Sequence, residues 1–86
     1  MGRPEGRIYF DPMNGYFTLG TLKDLAQEQI SPAEGITLRF YNDDADENGN
    51  EDNLIFEGVI HFDKKAARWF AVIEEKSYRH ESDEKV

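Results

Sequence analysis

The chain has 86 residues, with 18 acids against 10 bases and a formal net charge of −8. It has no cysteine, which excludes disulfides, thiolate zinc sites, iron–sulfur clusters and cysteine nucleophiles. The length fits one domain, and a hydrophobic fraction of 38% with 13% aromatics is too apolar for a disordered chain.

A surface this acidic repels phosphate backbones, so nucleic acid is not an expected partner. No apolar run approaches the roughly 20 residues that cross a bilayer, and no membrane partner is expected. The opening MGRPEGRIYF lacks a signal-peptide apolar region, and Gly6 stands where a myristoylation motif has Ser or Thr. The expectation is a soluble, cytoplasmic protein.

In chain order, RIYF and YFTL flank Asp11-Pro12-Met13-Asn14-Gly15, a turn sequence, and predict an N-terminal hairpin. Gly20 ends the second run. Thr21 is then the expected N-cap of a helix reaching Ile30, with Leu22, Leu25, Ala26 and Ile30 as its apolar stripe. Ser31 precedes Pro32, which pushes it out of the helical region. From Ile36 to Glu75 three strand-like runs, ITLRFYN, LIFEGVIHF and WFAVIEE, are separated by polar breaks. This is the pattern of an antiparallel meander. The third run is expected to extend as far as Tyr78.

The fold class expected is α+β: a mainly antiparallel four- to five-stranded sheet, in the order β-β-α-β-β-β, with one helix on one face. Residues 1–79 form the single domain, and residues 80–86 read as a charged tail without structure. The expected core is the helix stripe with Phe10, Phe17, Leu38, Phe40, Phe56, Ile60, Phe62, Phe70 and Val72. The opposite face then carries Tyr41, Ile55, Val59, Trp69 and Ile73, which are the candidate interface residues. One short helix covers only one face, and an apolar second face marks either an internal cover or an interface.

The stretch from Asp43 to Glu57 holds seven acids and no base. Within it Asp44-Ala45-Asp46-Glu47-Asn48-Gly49 matches the opening of a calcium loop, where alternate oxygen-bearing side chains turn toward a hard cation. Asp52 falls at the ninth position. The twelfth, where a bidentate Glu closes such a site, is Ile55. Asp44, Asp46, Asn48 and Asp52 are therefore candidate metal ligands of half a motif, set against a solvated hairpin loop that discourages strand aggregation.

No catalytic constellation is present. Ser31, Ser77 and Ser82 fall in a turn and the tail, and His61 reads as a surface histidine and not a base, with Glu57 four residues along the strand too distant to touch it. No phosphate-binding glycine loop or dinucleotide fingerprint occurs, and no cofactor is implied. The reading is a small acidic non-enzymatic interaction module that binds a protein partner or itself, a homodimer through the aromatic face. The alternatives are a calcium or divalent-cation domain, and an inhibitor or immunity-type protein that presents acids to a basic enzyme surface.

Overall fold

The computed structural model describes residues 6–44 and 48–85, with side chains to residue 83. Its elements are β1 (Ile8–Tyr9), α1 (Leu19–Gln27), β2 (Thr37–Asn42), β3 (Leu54–Asp63), β4 (Arg68–Ile73) and β5 (Arg79–His80). The sheet runs β1-β2-β3-β4, and β5 lies beside β3. All pairs are antiparallel except β1 with β2. The chain is thus α+β with a mixed, mostly antiparallel sheet.

The expected N-terminal hairpin does not form. β1 pairs in parallel with β2, placing Ile8 opposite Phe40. The turn itself is present: the Asp11 carbonyl accepts from the N–H groups of Asn14 and Gly15, and the Asp11 carboxylate accepts from Met13. It carries the chain across the molecule. Phe17 N–H donates to the Trp69 carbonyl, and Ala71 N–H to that of Gly15. Residues 10–17 therefore pass from one edge of the sheet to the other and curl it around its core, bringing the Phe10 and Phe17 rings to 6.0 Å.

The helix starts three residues earlier than expected. Thr18 is the N-cap and Thr21 occupies the third helical position, each hydroxyl accepting from the other's backbone N–H. This is a capping box with Thr in place of the usual Glu. The helix ends in a Schellman arrangement: Gln29 N–H donates to Ala26, and Ile30 N–H to Leu25, with Gln29 at φ 58. Thr21 and Leu25 face inward, while Leu22 and Ala26, expected in the buried stripe, are exposed.

The core holds Ile8, Phe10, Phe17, Leu25, Leu38, Phe40, Phe56 and Ile60. In β4 the expected phase is reversed. Trp69, Ala71 and Ile73 pack on the core, whereas Phe70 lies on the outer face and Val72 is 57% exposed. Phe62 is 40% exposed at the end of the core. The register sets Gly58 opposite Ile73 and Ile60 opposite Ala71. Gly58 permits this close approach, since a Cβ there would lie 2.7 Å from the Val72 carbonyl oxygen and 2.9 Å from Ile73 Cδ1.

After Ile73 the strand breaks. A 3₁₀ turn, Glu75–Ser77, intervenes before β5 resumes pairing against Leu54 and Ile55. Residues 80–86, read as an unstructured tail, are thus attached at His80, the second residue of β5, and a 3₁₀ turn follows over Glu81–Lys85. At the break Ser77 Oγ replaces the missing backbone partner by accepting from Glu57 N–H at 2.9 Å. The Glu57 carboxylate receives Arg7 at 2.9 Å and Arg79 at 3.2 Å. Arg7 is 2% exposed and also donates to the carbonyls of Phe40 and Phe56. Burial pushes the Glu57 carboxyl up, but the bonds from Arg79 and Arg7 outweigh it and hold it below the ordinary value.

Two outcomes follow from this packing. Gly58→Ala should lower urea-unfolding stability by about 1–3 kcal/mol, because β4 must move away from β3; an unchanged midpoint would refute the close approach. Glu57→Gln should cost about 2 kcal/mol near neutral pH, since it strands the buried Arg7 charge. The depressed carboxyl contributes stability above its unfolded pKa, and that contribution disappears as pH falls through the folded value. Parent and variant stabilities should therefore converge in acid.

Candidate functional site

The sequence-derived interface residues do not share one face. Ile55 is fully buried, in register between Tyr41 and Arg79. Tyr41 packs edge-on against Tyr9 at 5.7 Å. Val59 is half-buried on the outer face, beside Val72 in register, and lines a hollow of about 490 Å³ with Thr37 and His61. Trp69 and Ile73 are on the core side.

The structure gathers a different set around Trp69. Its ring stacks on Phe17 at 6.5 Å and meets Phe62 edge-on at 5.3 Å. Opposite stand Leu19, 86% exposed, and Leu22, 44% exposed, both from the start of α1. Ala67 and Arg68 from the β3–β4 hairpin complete a groove of about 320 Å³. A second hollow, bounded by Leu22, Ala26, Ile30 and Pro32, continues it along the helix. Large apolar side chains collected this way are unusual on a small domain's free surface.

The hairpin wall of the groove is tightly held. Asp63 accepts from the N–H groups of Lys65 and Ala66, at 3.0 and 3.2 Å, and from the Tyr16 hydroxyl at 2.9 Å. The Asp63 carboxyl is lowered, first by the Ala66 N–H and then by Tyr16, while the Tyr16 hydroxyl is raised by the same bond. Arg68 lies over the Tyr16 ring at 4.7 Å and donates to the Phe17 carbonyl at 3.1 Å. Ala67 adopts φ 53, a left-handed conformation that a non-glycine residue takes only when its surroundings impose it.

The acidic loop is organised differently from a calcium loop. Asp52 N–H donates to the Asp44 carbonyl. Asp44 Oδ2 lies 2.6 Å from His80 Nε2, and both oxygens of Asp52 accept from Ser82. Asn48 is exposed, and Asp46 lies outside the described residues. Among the described residues no three acidic or histidine groups come together as a metal set. His61, read as a surface histidine out of reach of Glu57, is hydrogen-bonded to Glu34, which also accepts from Phe62 N–H at 3.0 Å. That backbone bond, and then His61, hold the Glu34 carboxyl below its ordinary value. No described helix is long and apolar enough to cross a membrane.

The His80 imidazole is raised, first by its hydrogen bond to Asp44 and further by the charges of Asp44, Asp52 and Asp83. A raised imidazole stabilises the fold fully below the unfolded pKa of about 6.5, and the contribution is lost as pH rises through the folded value. His80→Gln should therefore melt below the parent in mild acid and alongside it in alkali. In an NMR titration Asp44→Asn should bring the His80 pKa down; an unmoved value would break the assigned pairing.

Comparison with known proteins finds no matching family, no similar curated protein and no similar solved structure.

Proposed function

We propose that this chain is a non-enzymatic protein-interaction module that docks through the Trp69 groove. The observation carrying this reading is the exposure of Leu19 and Leu22 beside a half-buried Trp69 on a rigid frame. Tryptophan in a concave setting is a recurrent interface anchor. Each leucine side chain moved fully from water into an interface contributes about 1.5–3 kcal/mol. Neither leucine is needed for the core, so their apolar surface has no folding role to explain it.

Because both leucines are exposed, Leu19→Ser with Leu22→Ser should change urea-unfolding stability by no more than about 1 kcal/mol. A displayed random-peptide library selected on the parent should enrich bulky apolar anchors. The same selection on the double variant should not. Equal enrichment on both proteins, or none on either, would overturn the reading.

A further inference from the structure

We infer that the partner segment is acidic as well as apolar: a bulky side chain fills the groove while flanking carboxylates meet a basic rim. This rests on the groove being a docking site, and it names what that site selects. The net charge of −8 points the other way, so the inference depends on where the charges lie.

β3 separates them. At its start, residues 43–52 carry six acids and no base; past its end, residues 63–68 carry Lys64, Lys65 and Arg68 against Asp63 alone. The ten residues of β3 span roughly 33 Å at about 3.3 Å per residue. That is about four Debye lengths at physiological ionic strength, where one length is about 8 Å. The acidic end is therefore screened from the hairpin. At the hairpin the local balance is three bases against two acids: Asp63, turned to Tyr16 and its own turn, and Glu34, held to His61 and to the Phe62 N–H. Lys64 and Lys65 are exposed, and Arg68 forms part of the groove wall.

The helix adds to this field. α1 begins at the groove, with Thr18 and Leu19 in its lining, and has no acidic residue in its first turn. Its positive dipole end is thus unopposed by its own side chains. Lys23 follows one turn after Leu19 and is exposed. Hairpin, helix end and Lys23 all place positive potential around an apolar hollow.

The same facts argue against other occupants. A symmetric pair of this chain joined by the groove would set two basic hairpins against each other. The acidic loop of a second copy, DDADENGNED, has the charge but no bulky apolar residue to enter the groove. A bilayer presents no protruding side chain to a concave site.

The single tryptophan, Trp69, lines the groove and reports its occupancy. The probes are two synthetic amphipathic peptides with the same leucine and phenylalanine spacing, one with glutamate at its polar positions and one with lysine. Vesicles of phosphatidylcholine containing phosphatidylserine make a third arm. The glutamate peptide should shift Trp69 emission at least about tenfold more tightly than the lysine peptide at physiological salt, where the acidic end is screened, and this preference should shrink as salt is raised further. Lys64→Glu with Lys65→Glu should remove the preference without altering stability. If both peptides bind equally and Leu19→Ser with Leu22→Ser abolishes both, the charge inference falls and the docking site stands. If neither peptide moves the emission and peptide selection also fails, the docking site falls too. Emission that responds to the vesicles and not to the glutamate peptide would overturn the inference in favour of a lipid surface, and a dimer in sedimentation that buries Trp69 would replace it with self-association.

Discussion

The carboxylate of Glu57 holds both ends of the described chain to the central strand. β1 and β5 are two residues each, too short to stay paired by ladder bonds alone. Arg7, next to β1, and Arg79, within β5, both reach Glu57. Arg7 adds bonds to two β2–β3 carbonyls, which satisfies much of a guanidinium that is almost entirely out of water. Such a cluster gains little over a well-packed apolar alternative, yet losing one member leaves a buried charge uncompensated. Its effect is on position more than on energy. It fixes β1 beside β2, fixes β5 in line with β4, and closes the outer face around Ile55.

That closure moves the open surface elsewhere. With Arg7, Tyr9, Tyr41 and Arg79 gathered at one end, three of the large exposed apolar side chains, Leu19, Leu22 and Phe62, lie around the helix start and the end of β3. The curl imposed by residues 10–17 brings these two regions together, since it delivers α1 to the β4 edge through the bridge between Tyr16 and Phe70. The groove is a consequence of the crossing connection.

Alternation was enough to identify Leu38, Phe40, Phe56 and Ile60 as core, because Thr37 and Arg39 on β2, and Glu57 and His61 on β3, mark the opposite face. It failed on β4, where WFAVI is apolar at every position and either phase fits. The deciding residue is Gly58 on the neighbouring strand, whose missing side chain admits Ile73, and nothing in the β4 run encodes that. The helix frame was legible in principle. Thr18-x-x-Thr21 is a reciprocal cap, but Thr in the Glu position is a weak signal, and taking Thr21 as the cap leaves it out of the buried face that it shares with Leu25. The parallel pairing of β1 was not legible. The turn at Asp11–Gly15 is a genuine hairpin signal, and what overrides it is contact with residues 33 to 50 positions away.

The candidate site was only partly readable for the same reason. Trp69 stood out by residue type, but its companions Leu19 and Leu22 were assigned to a strand and to the buried stripe. The calcium-like spacing in the acidic loop describes only local oxygens. Their partners here, His80 and Ser82, come from 30 or more residues downstream. Net charge misleads in a related way. A value of −8 describes an average over a molecule 42 Å long, several times the distance over which charges act in physiological salt. Partners respond to the local field, which changes sign along β3. The positive end carries too few bases to neutralise the several phosphates that nucleic-acid binding draws on. On the proposed docking reading it is enough to choose among protein segments, one or two rim charges setting preference while the apolar anchor supplies most of the affinity.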